Sequence, residues 1–238
     1  MIVPLHGEDE WTAALAALPA WQPPLLPTVI VSPHPDDETL GCGGLIARLI
    51  AAGVQVTVVA ATDGEHAYPE GETQQSARAL ADVRQREQEE ALRTLGVRAE
   101  NIVRLRLCDS GLAANAAALT EGLRKAVEGA GANVHVVAPW HGDFHPDHEA
   151  CALAAASVAR QSGARLTSYI FWTWHRGGPE MLRNSNACRM ALTPEERETK
   201  WDALNFHASQ LFQEDGHPIL PNDLLWPARQ ACEVYFPQ

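Results

Sequence analysis

Two short segments of this chain concentrate side chains that could bind a metal and move protons. The first is Ser32-Pro33-His34-Pro35-Asp36-Asp37-Glu38, and the second is Asp143-Phe144-His145-Pro146-Asp147-His148-Glu149. Proline and acidic residues favour helix starts, because carboxylates cap free N–H groups and suit the helix dipole. Either segment alone could therefore be a well-capped helix start. Capping does not account for the three histidines in the two segments, or for three consecutive acids after Pro35. Like charges packed together cost free energy unless a cation or hydrogen bonds compensate. A divalent cation supplies that compensation. Two imidazoles and one carboxylate leave an open position on zinc, as hydrolytic sites do and structural sites do not. A water held there ionises near about pH 7. A carboxylate off the metal can take its proton, and a further histidine can stabilise an oxyanion.

These segments need a frame that brings them together. Residues 1–26 read as a short helix around Trp11–Leu18 and a Pro-rich connector. Strands are expected at Thr28–Ser32, Val54–Ala61, Ile102–Leu107, Val134–Pro139 and Leu166–Trp172. Between them lie helical stretches at Thr39–Ala52, Gln75–Leu95, Ala113–Gly129 and His148–Gln161, the second of these ending at Gly96. That alternation predicts an α/β fold with a mostly parallel sheet. Both clusters follow a strand and precede a helix, so both belong at the carboxyl edge of the sheet, where open α/β folds bind ligands. Residues 176–192 read as loop. Thr193-Pro194-Glu195-Glu196 predicts a helix start, running to about Gln210. The last 28 residues, with Gly216, Pro218, Pro221 and Pro227, read as irregular. With no internal repeat and short connectors, a single domain over residues 1–238 is expected, with 212–238 as an irregular C-terminal segment.

PHPDDE, the following TLGCGG, and the later HPDH resemble the PIG-L/LmbE-like family of zinc-dependent N-acetylglucosaminyl deacetylases. The likeness continues in Thr62-Asp63-Gly64-Glu65, in Arg84-Gln85-Arg86-Glu87 with Leu95-Gly96-Val97, and in Cys108-Asp109-Ser110-Gly111-Leu112. It extends to Lys200, Ala203-Leu204, His207 and Ser209-Gln210, so that it covers about residues 28–211. The resemblance implies a Rossmann-like three-layer fold and a hydrolase that removes an N-acetyl group from an amino-sugar conjugate. It implies one Zn2+ per chain on His34, Asp37 and His148, with Asp36 as general base and His145 at the oxyanion. Asp147 would orient an imidazole, and Arg84, Asp109 and Glu65 would contact the sugar. The stretch Phe171-Trp172-Thr173-Trp174-His175 departs from the family members of the thiol pathways, which leaves the group attached to the sugar open. A deacylase of a non-sugar amine, a metal phosphoesterase, and a binding protein without catalysis are the alternatives. The full set of catalytic positions argues against the last.

The composition excludes several classes. The chain has 238 residues, 46% hydrophobic and 20% charged, with a net charge of −12. No basic patch could track a phosphate backbone, so nucleic acid is not an expected partner. The five cysteines, Cys42, Cys108, Cys151, Cys188 and Cys232, are odd in number and form no CxxC pair. They fit a reducing cytoplasm better than a disulfide framework. No apolar run is long enough to span a membrane, and the N-terminus does not resemble a signal peptide. A homo-oligomer is expected by analogy with the family. Gly41-Cys42-Gly43-Gly44 is not a dinucleotide fingerprint and predicts close helix–sheet packing. His141 follows the fourth strand and is expected to be a loop residue, not a ligand. His66, His175 and His217 could line the pocket, and Trp140 and Trp174 are expected in the core.

Overall fold

A computed structural model of the chain describes residues 4–68, 76–212 and 218–238. In chain order the elements are α1 (Glu8–Ala17), β1 (Thr28–Ser32), α2 (Asp37–Ala51), β2 (Val56–Thr62), α3 (Ala77–Thr94), β3 (Ile102–Leu107), α4 (Ala116–Ala130) and β4 (His135–Pro139). There follow α5 (Pro146–Ser162), β5 (Arg165–Tyr169), α6 (Thr173–Arg176), α7 (Glu180–Arg183), β6 (Cys188–Ala191), α8 (Pro194–Leu204), α9 (Ala208–Leu211) and β7 (Cys232–Pro237). One sheet runs in the order β3-β2-β1-β4-β5-β7-β6. Its first five strands are parallel, and β7 runs antiparallel to both β5 and β6.

Strands β1, β2 and β4 are buried along their whole length because both sheet faces are covered there, whereas the edge strand β3 alternates through Arg104 and Arg106. Side chains alternate between those faces along each strand. Val29, Val31, Val59, Ala61, Val136 and Ala138 pack under α4 and α5. Ile30, Val58, Val137 and Tyr169 pack under α2, α3 and α8. Each fully buried aliphatic side chain, such as Leu45, Ile46 or Leu49, contributes about 1.5–3 kcal/mol by leaving water. The result is the expected three-layer α/β fold.

Helix α2 carries part of the first cluster and is not continuous. Cys42 has φ −146° and ψ 24°, which breaks the helix into two. The break frees the N–H groups of Gly44 and Leu45, and the carboxylate of Glu233 on β7 accepts both, at 2.8 and 2.9 Å. Lys200 Nζ at 2.7 Å and the Tyr235 hydroxyl at 2.7 Å complete the Glu233 shell. Close packing explains Gly41, since a Cβ there would lie 2.2 Å from the Tyr169 ring. The glycine-rich stretch therefore sets helix–sheet contact, as expected.

Four expectations are corrected. The strand predicted over Leu166–Trp172 ends at Tyr169. The N–H groups of Phe171, Trp172 and Thr173 turn away from the ladder to the carboxylate of Asp143. Residues 176–192 are not all loop, because they hold α7 and strand β6. The last 28 residues contain β7, which pairs with both β5 and β6. The predicted helix from Pro194 stops at Leu204 and restarts as α9, with His207 between the two. Thr193 does cap it, with the reciprocal Glu196 contact.

Candidate metal centre and its cavity

Strand order reverses between β1 and β4, where the chain leaves β1 toward α2 and leaves β4 toward α5. The loops after these two strands face each other at this switch point, which opens a crevice at the carboxyl edge. Both His/Asp segments lie there.

Asp37 Oδ2 is the meeting point. It lies 3.0 Å from His34 Nδ1 and 3.2 Å from His148 Nε2. His34, His145 and His148 also bring one nitrogen each within 4.8 Å of one another. The outer nitrogens are held from behind. His34 Nε2 faces Asp109 Oδ1 at 3.2 Å and Asp147 Oδ2 at 3.3 Å. His148 Nδ1 pairs with Asp143 Oδ2 at 2.8 Å. Asp147 is itself fixed by the N–H groups of Ser110 and Leu112, at 2.8 and 3.1 Å. Carboxylates behind imidazoles set the tautomer and aim the opposite nitrogen. His148 Nε2 is buried with no hydrogen-bond partner. An orphaned imidazole nitrogen beside a buried carboxylate and a second imidazole fits a divalent metal. The donor set of two nitrogens and one oxygen suits zinc. His141 is exposed, packs edge-on against Trp140 and does not line the cavity.

Asp36 sits at the helix start with φ 135°, a conformation that strains any residue but glycine. Its carboxylate lies 3.1 Å from Arg84 Nη2. Burial pushes the Asp36 carboxyl up to about 8, against the pull of the Arg84 charge and with the help of Asp37. Arg84 is itself buried and also donates to the carbonyls of Gly64 and Pro35 at 2.9 and 2.8 Å. Gly64, at φ +67°, lets this happen, since a Cβ there would lie 2.1 Å from Arg84 Nη1. Glu38 is fully buried and accepts from Ser32 Oγ and Gln88 Nε2 at 2.5 and 3.2 Å.

His145 Nδ1 accepts the N–H of Asp147 at 3.3 Å. Burial and the neighbouring His34 and His148 charges bring its pKa down to about 4. The ring is therefore neutral near pH 7 and carries its proton on Nε2.

A cavity of about 620 Å3 opens over these groups. Its polar side includes His34, Asp36, Asp37, Arg84, Asp109 and His145, and its apolar side includes Phe171, Trp172, Ile219, Leu220 and Leu224. Asp147 and His148 stand behind the wall. Glu65, expected on the substrate side, is not among the lining residues, and its Oε1 accepts the Asp109 N–H at 3.0 Å. Asp109 lines the cavity while also bonding His34, and Arg84 lines it while tied to Asp36. His66 lines it too, whereas His175 is buried and His217 lies outside the described residues. Trp140 stacks on Phe236 at 4.8 Å, and Trp174 packs against Trp11 and Trp226, both away from the cavity.

The sequence reading gives no individual role to Asp143, although it lies in the second segment, or to Trp172, and it misses the 218–224 segment. Asp143 sits two residues before HPDH, and its acidity was the only available signal. Trp172 was assigned to a strand. It lies parallel to His145 with 6.1 Å between ring centroids, and Arg176 covers it at 4.7 Å.

Comparison with known proteins agrees with this geometry. The family model PIG-L, described as GlcNAc-PI de-N-acetylase, matches residues 29–159. The chain is 30% identical over 221 residues to a Corynebacterium glutamicum 1D-myo-inositol 2-acetamido-2-deoxy-alpha-D-glucopyranoside deacetylase, covering 79% of this chain and 76% of that protein. A namesake from Corynebacterium diphtheriae is 44% identical over 77 residues, 30% of this chain. The chain spans only 26% of that relative's length. Among solved structures, the N,N'-diacetylchitobiose deacetylase of Pyrococcus horikoshii superimposes with TM-score 0.63 at 26% identity, covering 79% of this chain and 71% of that one. Among the described residues, no helix is long and apolar enough to cross a membrane. With more than half of the chain matched by the family model, and with the two His/Asp segments meeting at one sheet edge, the chain belongs to the PIG-L family of GlcNAc-PI de-N-acetylases.

Proposed function

We propose that this protein removes the N-acetyl group from an N-acetylglucosamine-type conjugate, yielding acetate and a free amine. The observation that carries this reading is the convergence of His34, Asp37 and His148 on one point, beside Asp36 and His145 in a single cavity. The names of the relatives support it, since the corynebacterial and archaeal deacetylases share an N-acetylated amino sugar in their substrates.

In this reading His34, Asp37 and His148 would hold one zinc ion, which would supply Lewis acidity to the acyl carbonyl and to the attacking water. Asp36 takes the proton of the attacking water and returns it to the departing nitrogen. Burial raises its pKa above that of a free carboxylate, which makes it a stronger base for that proton. Arg84 keeps the Asp36 carboxylate aimed. The Nε2–H of His145 donates to the developing oxyanion. Asp147 and Asp109 fix His34, and Asp109 also reaches a sugar hydroxyl. The apolar wall takes the group attached to the sugar.

The test is acetate release, with zinc supplied, across a panel of N-acetylglucosamine conjugates and non-sugar N-acetyl amines. Asp36→Ala should keep its metal and lose about 10²–10⁴-fold in turnover. An Asp36→Ala protein of near-normal activity would sink the assignment of the base. Acetate release from the non-sugar amines alone would overturn the sugar.

A further inference from the structure

Three different ligand types meet away from the His34–Asp37–His148 centre. Glu65, His66 and Cys108 each offer one ligand atom, and these atoms lie within 4.8 Å of one another. All three lean on the peptide of a single residue, Asp109. Glu65 Oε1 accepts the Asp109 N–H at 3.0 Å. His66 Nδ1 lies 3.1 Å from the Asp109 carbonyl, and Cys108 Sγ lies 3.4 Å from the same oxygen. The His66 N–H also donates to Asp109 Oδ2 at 2.9 Å.

These contacts arrange the group before any ligand arrives. A carbonyl oxygen only accepts, so His66 carries its proton on Nδ1, and Nε2 keeps its lone pair. Glu65 keeps its second carboxylate oxygen. Cys108 and His66 are exposed, so an ion has an entry path. Thiolate, imidazole and carboxylate together suit zinc and other thiophilic ions, whereas calcium and magnesium prefer all-oxygen shells. No other cysteine among the described residues belongs to such a group.

We propose that Glu65, His66 and Cys108 form a second divalent-metal site at the cavity mouth, which takes zinc or a similarly thiophilic ion and lowers turnover when filled. His66 lines the cavity, so an ion bound to it narrows the substrate path. The site also touches the inner one through Asp109, whose Oδ1 faces His34 Nε2 at 3.2 Å while Oδ2 holds His66. An ion on the outer group therefore acts on the residue that steadies an inner ligand.

The experiment is a Co2+ and Zn2+ titration of chelator-treated, reduced, full-length protein, with metal content and absorption read together. The wild type should take up a second equivalent, and only that equivalent should bring the near-ultraviolet thiolate-to-cobalt band. Cys108→Ser should keep the first equivalent, which also shows that it is folded, and should lose both the second equivalent and the band. Inhibition by excess zinc should then require roughly tenfold or more zinc in Cys108→Ser and in His66→Ala, because losing a ligand should cost at least as much as losing an outer partner of one. A wild type that saturates at one equivalent overturns the proposal. So does a second equivalent without a thiolate band that persists in Cys108→Ser. A second equivalent with the band but without loss of turnover overturns the inhibitory role. The binding readouts need no substrate, so they stand apart from the identity of the sugar conjugate.

Discussion

Asp143 Oδ2 lies 2.8 Å from His148 Nδ1, and this bond decides which imidazole nitrogen faces Asp37. The same carboxylate accepts the N–H groups of Phe171, Trp172 and Thr173 and the hydroxyl of Thr173. One buried acid thus ties His148 to the end of β5 and to the wall of the cavity. It aims that imidazole and bends the chain with the same two oxygens.

Asp143→Asn should therefore fail twice. An amide has one oxygen in place of two and brings donors toward backbone N–H groups. Metal affinity should fall by about 10–100-fold, as when a supporting carboxylate behind a ligand is removed. Competition with a chromophoric chelator measures that. Urea unfolding of the metal-free protein should separately show a loss of about 1–3 kcal/mol for the unpaired amides.

The two cavity-lining histidines, His34 and His145, should separate by role. His34→Ala should remove bound metal and activity together. His145→Ala should keep the metal and lose about 10²–10³-fold in kcat, the usual cost of one oxyanion donor. Metal analysis alongside kinetics distinguishes them, and metal loss in His145→Ala would move that residue into the ligand set.

Glu233 is remote from the cavity yet holds the helix that starts at Asp37. Glu233→Ala would leave Lys200 charged and unpaired, both being about 2% exposed in the side chain, and would strand the N–H groups of Gly44 and Leu45. Breaking a buried pair from one side costs about 3–5 kcal/mol. Urea unfolding should show that loss.

Acid should destabilise the fold through buried neutral histidines. Burial lowers His135 and His175 from 6.5 to about 4 each, the nearby Arg165 charge helping at His135 and Asp143 opposing at His175. Both are neutral when folded, so protonation favours the unfolded chain. Their contribution is complete above about pH 6.5, the unfolded value, and is lost as pH falls through about 4. Each can account for at most about 3 kcal/mol across that window. Urea midpoints at pH 7 and pH 4.5 should differ, and His175→Leu should reduce the difference. An unchanged pH dependence in that variant would count against the assignment.

The parallel half of the sheet was legible because β1, β2 and β4 are short, largely apolar runs and β3 alternates apolar residues with Arg104 and Arg106. β1 and β3 have the predicted limits. The antiparallel edge was not legible. β7 follows a Pro-rich stretch and carries a buried Glu233, which reads as polar until Lys200 and the α2 break are placed against it. The Phe171–Trp172 run reads as strand because it is apolar, yet Asp143 takes its N–H groups.

The sequence alone determined the elements that must converge and the side chains they carry. PHPDDE and HPDH each follow a strand and open a helix, so residue type and local pattern suffice to put His34, Asp36, Asp37, His145 and His148 at one edge. Only the tertiary structure decided how those groups are divided. Which nitrogen of His34 meets Asp37, what stands behind His148, and why Arg84 reaches Asp36 depend on residues from 3 to 113 positions apart. Orientation of a side chain is set by its whole packed surroundings, and those exist only once the sheet has brought β1 beside β4.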